Sequence, residues 1–121
     1  MYLTRAEYLA LKGEGDFDAE EAIARAQRDI DAMTYNRIRR RGFDALTPFQ
    51  QTLVKEAVAE QAQFIGSNAE LLNTPLASYS INGVSMSWDS GRVWRVGGVY
   101  ASDAAYNALM QTGLMYRGVA P

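Results

Sequence analysis

TPFQQTLVKEAVAEQAQFI, residues 47–65, decides the fold, because three helix-start signals and one wide apolar face agree in it. Thr47 is a good N-cap, Pro48 suits the first helical position, and Gln50 completes a capping box by reaching back to the Thr47 amide. From Phe49 the spacing predicts a helix to about Leu72, with Leu53, Val54, Ala57, Val58, Phe64 and Ile65 inward. That face is too wide for one neighbour, so this helix is expected to pack on two sides. Ala57, Ala59 and Ala62 permit close approach. Leu46, just before the cap, lacks an apolar staple partner and meets only the stem of Gln51. Pro75 ends whatever helix remains.

Upstream, Thr4 and Glu7 form a second capping box, opening a short helix over 4–12 that stops at Gly13. Tyr8, Leu9 and Leu11 give it something to bury, and at that length it must dock on the body. The next helix is predicted over 18–38. Asp16 or Asp18 caps it, Glu20 and Glu21 favour its first turn, and Ala19, Ile23, Ala26, Ile30 and Met33 form its buried stripe. Glu21 with Arg25, and Arg25 with Asp29, are i,i+4 pairs. The alternation Glu14, Asp16, Asp18 hints at a calcium loop, but the turn glycine is missing and Arg25 stands where the closing Glu belongs. It reads as a capping region.

Downstream, SYSINGVSMSWD, residues 78–89, reads as a β-hairpin turning on Asn82-Gly83. Tyr79, Ile81, Val84, Met86 and Trp88 share an apolar side and the serines share the other. Such a hairpin is marginal alone, so its apolar side is expected to rest on the helices. Val93–Val96 is a possible third strand or extended arm flanked by Gly91, Gly97 and Gly98. Ser102 caps a last helix over 103–111 that carries Ala105, Tyr106, Leu109 and Met110, and Gly113 ends it. The fold class is therefore mainly α: one helical domain over 1–113 with an inserted hairpin, then a tail over 114–121.

Composition narrows the chemistry. In 121 residues there is no Cys and no His, so thiolate nucleophiles, disulfides and the commonest general base and metal ligand are missing. An enzyme would be left with Asp, Glu, Lys, Tyr and Arg, and a carboxylate site on Asp16, Asp18 or Glu20 would need a pocket and a raised pKa. A net charge of −2 argues against a general nucleic-acid binder. Apolar runs are too short to span a membrane, and MYLTRAEYLALKGEG lacks the positive start and cleavage site of a signal peptide. One charge run stands out, Arg37, Arg39, Arg40 and Arg41 around Ile38. It is suited to phosphate or an acidic partner, or serves as a solvated helix end before Gly42.

Taken in order, YLTRAEYLAL, AQRDIDAMTYNRI, LTPFQQTLVKEAVAEQAQF, SYSINGVSMSW and TGLMYRGV resemble the small head-tail connector, or adaptor, proteins of long-tailed phages and prophages. The likeness spans nearly the whole chain. It departs in the triple arginine at 39–41 and in the lack of a cysteine in the main helix. The resemblance implies a structural protein without cofactor or metal: a ring, typically dodecameric, beneath the portal protein, extending the channel through which DNA passes. It further implies a docking surface for the stopper or tail-completion protein, and residence in the virion neck after assembly in the host cytoplasm. In such proteins helical bodies pack side by side and the C-terminal segment reaches the portal.

On that basis Leu114, Met115, Tyr116, Arg117 and Val119 are the candidate portal-docking residues, with fold-back onto the parent core as the alternative. Tyr79, Ser80, Ser85 and Ser87 are candidates for subunit contact. Arg37, Arg39, Arg40 and Arg41 are candidates for the channel or a partner, and in a rival reading they make a small DNA-binding or protein-interaction module.

Overall fold

The structure, a computed structural model, describes residues 2–13, 15, 17–67, 93–96 and 99–115. Within them the chain is mainly helical, a small bundle with a minor β element. Helix α1 spans Arg5–Lys12, α2 Ala19–Met33, α3 Arg37–Arg41, α4 Pro48–Ser67 and α5 Asp103–Thr112. A 3-10 turn, Phe43–Ala45, joins α3 to α4. Strands β1, Val93–Val96, and β2, Val99–Ser102, pair antiparallel with Val96 opposite Val99.

The helix starts are where the side chains dictate. Thr4 and Glu7 exchange both capping-box bonds at 3.1 Å, and Thr47 and Gln50 do the same at 3.1 Å. Asp18 accepts from the Glu20 and Glu21 amides, and Ser102 accepts from the Ala105 amide. Each cap satisfies an amide that the helix itself leaves without a partner. Before α4 the staple is polar rather than apolar. Buried Leu46 precedes the cap, and the Gln51 amide nitrogen donates to the Leu46 carbonyl at 3.0 Å.

The α4 helix is the axis of the bundle, packed against α2 and α5, with α1 and β2 also resting on it. All six expected inward residues, Leu53, Val54, Ala57, Val58, Phe64 and Ile65, are buried, and so are Ala59 and Ala62. From α2, Ile23, Ala26, Ile30 and Met33 enter the same core, joined by Leu3, Tyr8, Ile38 and Leu109. The Phe17 ring lies against Gly66 of α4, where a Cβ would overlap it. Two ion pairs fasten α1 to α4: Lys55 to Glu7, and Lys12 to Glu60.

Three expectations are corrected here. The helix over 18–38 is two helices, because Tyr35 (φ 56°) and Asn36 (φ 59°) adopt the left-handed conformation and break it after Met33. The break is held by the Thr34 hydroxyl, which donates to the Ile30 carbonyl at 2.8 Å, and by the Asn36 amide on the Asp31 carbonyl. Val93–Val96 does form a strand, but its partner is Val99–Ser102, a run too short to stand out as a strand in the sequence. The domain boundary after residue 113 moves outward, since Leu114 is buried in this chain's own core and Met115 packs against it. The hairpin over 78–88, with Tyr79, Ser80, Ser85 and Ser87, and the last part of the 48–72 helix lie outside the described residues.

Candidate interaction surface

One end of the bundle gathers two of the sequence candidates, the arginine run and the base of the C-terminal segment. After α5, Gly113 takes the left-handed conformation (φ 76°) that ends a helix at low strain. The chain is then held at three points. The Leu114 amide donates to the Thr112 hydroxyl at 3.1 Å, the Gln50 side chain donates to the Thr112 carbonyl at 3.1 Å, and Arg37 Nη1 donates to the Leu114 carbonyl at 3.0 Å. Arg37 and Leu114 are 77 residues apart in sequence. No local pattern could have joined them.

This bond divides the arginine run. Arg37 is half-buried, with its guanidinium also 5.3 Å from the centre of the Tyr35 ring. Its role is internal. Arg39, Arg40 and Arg41 are exposed at the C-terminal end of α3, where cations complement the helix dipole, and Gly42 (φ 89°) ends the helix as expected. Arg40 reaches back to the Tyr35 carbonyl at 3.4 Å. Tyr35, held on the strained turn, is itself exposed.

The N-terminal segment braces the same end. The Tyr2 ring stacks on Phe43 at 5.5 Å between centroids, and its hydroxyl donates to Asp31 at 2.6 Å. Burial first, and then that carboxylate, push the Tyr2 hydroxyl pKa far above its ordinary value. The Tyr2 and Leu3 amides both donate to the Gln27 side-chain oxygen. Nearby on the bundle, Phe49 in the first turn of α4 and Met110 in the last turn of α5 are exposed large apolar side chains.

The polar residue that sequence reasoning passed over is Gln61. It is completely buried. Its amide nitrogen donates to Asp29 at 3.0 Å and to the Tyr100 carbonyl at 2.9 Å, and its oxygen accepts from the Ser102 amide at 3.2 Å. One carboxamide therefore ties α2, α4 and β2 together. Burial raises the Asp29 pKa, opposed by the Gln61 hydrogen bond and by Arg25 and Arg28. The only advance signal was a glutamine set among Ala57, Ala59 and Ala62 at otherwise buried spacing.

Asp18 is occupied as a cap, Glu20 is exposed, and Asp16 lies outside the described residues. A cleft of about 360 Å³ opens between the end of α1 and the end of α4, with Tyr8 and Phe17 in its walls. Its cation, Lys12, is held by Glu60. Among the described residues no three Asp or Glu side chains gather as a metal set, and no helix is long and apolar enough to cross a membrane. No protein-family model matches this chain, no curated protein matches it, and no solved structure matches it.

Proposed function

We propose that this chain is a non-catalytic head-tail connector of a long-tailed phage, prophage or phage-derived particle. In this reading copies assemble as a ring beneath the portal protein, extend the DNA channel, and offer a surface to the stopper or tail-completion protein. The observation that carries it is the anchored chain exit. Arg37, Gln50 and Thr112 fix the backbone at Leu114, the point from which the sequence continues to Tyr116, Arg117 and Val119. Tyr and Arg are among the residues that dominate interface energetics. Leu114 itself leaves the docking set, because it is buried in the parent domain.

Exposure of Arg39, Arg40 and Arg41 is the feature favouring the rival DNA-binding reading. It predicts duplex affinity that falls steeply with salt in the isolated chain. The deciding experiment mixes the full chain with the cognate portal and images the product by electron microscopy. A ring of added density beneath the portal supports the connector reading. Absence of any complex, together with salt-sensitive duplex binding, replaces it with the rival.

A further inference from the structure

The cleft between α1 and α4 holds a polar group that the fold itself does not use. Tyr8, only 2 % exposed, lines it. The Tyr8 hydroxyl forms no hydrogen bond among the described residues. No side-chain oxygen or nitrogen there that is shut away from solvent lacks a partner. This hydroxyl therefore keeps contact with open space, and the open space beside Tyr8 is the cleft. Burial alone raises its pKa, so at neutral pH it is a phenol with a proton to donate. Lys12, one turn further along α1, lines the same cleft. Positions four apart share one helix face, and an ammonium carries more N–H donors than its ion pair with Glu60 requires. The apolar wall is the Phe17 ring, held with one edge at Gly15 and the opposite edge at Gly66. Gln63 and Ser67 add exposed polar side chains at the rim.

We propose that this cleft binds a small neutral amide with a planar apolar body, its carbonyl oxygen accepting from the Tyr8 hydroxyl and the Lys12 ammonium while the body lies on Phe17. A carbonyl oxygen has a lone pair for each of those donors. Neutrality follows from the charges already in place. Glu60 is paired with Lys12, and the cleft opens at the C-terminal end of α1, the negative end of its dipole. An anion would be repelled by both. A cation would be repelled by Lys12. The amide N–H has the Gln63 side-chain oxygen or the Ser67 hydroxyl as its acceptor. At about 360 Å³ the cleft stands at the small end of the range for ligand pockets, which sets the occupant at fragment size. A few convergent polar groups beside a rigid apolar wall are what orient a ligand in such a site. The inference asks nothing of the connector reading, and either stands without the other.

The test is a titration of the isotope-labelled full chain followed by amide NMR. Benzamide is the probe, and benzoate and benzylamine are its anionic and cationic counterparts of similar shape. The amides of Gly13, Gly15 and Gly66 report on the cleft. Benzamide is expected to shift them saturably with a Kd of about 1 mM, in keeping with a fragment. Benzoate and benzylamine are expected to bind at least about tenfold more weakly, since each brings a charge that meets its like. Tyr8→Phe removes only the hydroxyl, and is expected to melt like the parent and to weaken benzamide by about tenfold. Lys12→Met keeps the stem, loses the donors and is expected to weaken it similarly, so it serves alone if Tyr8→Phe fails to fold. Four results overturn the inference: no saturable shift, shifts that saturate only away from the cleft, benzoate or benzylamine binding as tightly as benzamide, or benzamide affinity that survives either substitution in a folded chain.

Discussion

Gln61 holds more of this molecule in register than any other polar side chain described. It sits in the middle of an alanine-rich helix face and satisfies a carboxylate, a carbonyl and an amide at once. Replacing Gln61 with Leu keeps the volume but orphans buried groups, at about 1–3 kcal/mol for each group left without a partner. A urea titration with unchanged m value and a lower midpoint checks it. Its partner Asp29 makes stability depend on pH. With the folded pKa raised above the unfolded one, the stabilisation is complete below about pH 3.9 and is lost as pH rises through the folded value. Asp29→Asn is expected to flatten that decline in pH-dependent melts. Gly66 is a second single-residue test, since Gly66→Ala gains about 1 kcal/mol of helix propensity but drives a methyl into Phe17. The overlap is expected to win, and pairing it with Phe17→Ala to recover the propensity gain as a non-additive double-mutant cycle. Neither residue was legible in advance, because each is defined by what lies across the fold.

At the scale of elements, whatever is decided within four residues could be read directly. Both capping boxes, the caps at Asp18 and Ser102, the stops at Gly13, Gly42 and Gly113, and the buried stripes of α2 and α4 all follow from local spacing. The break after Met33 did not, because Thr34, Tyr35 and Asn36 only mildly disfavour a helix and their turn is fixed by bonds back to Ile30 and Asp31. Asn36 tolerates the left-handed conformation better than most residues. Asn36→Gly is therefore expected to be neutral or slightly stabilising, and Asn36→Val to destabilise by about 1–2 kcal/mol, read from chemical denaturation. The candidate site divides along the same line. The exposed Arg39, Arg40 and Arg41 at a helix end were legible as a cluster. The withdrawal of Arg37 from it required Leu114, 77 residues later. Changing Arg39, Arg40 and Arg41 together to Gln is expected to leave the melting curve in place, since exposed charges contribute little.

For the molecule as a whole, the boundary of the folded body is testable by truncation. A chain ending at Met115 keeps Leu114 in the core and is expected to melt like the parent while failing to join a portal. A chain ending at Gly113 also loses the buried Leu114 side chain and its hydrogen bonds, and is expected to be less stable by about 2–5 kcal/mol. Melting curves and the portal mixing experiment on both truncations separate folding from docking. The anchored exit has one more consequence, and it is mechanical. A cable is clamped where it leaves its housing so that a tug on the free end never reaches the soldered joint. Tension applied beyond residue 115 enters the body at the Leu114 carbonyl, passes through Arg37 into α3, and is shared with the start of α4 by Gln50 on Thr112. The load thus spreads over two distant stretches of chain before α5 can peel away from α4. In the connector proposed above, that strain relief would be as much a part of the attachment as the grip itself.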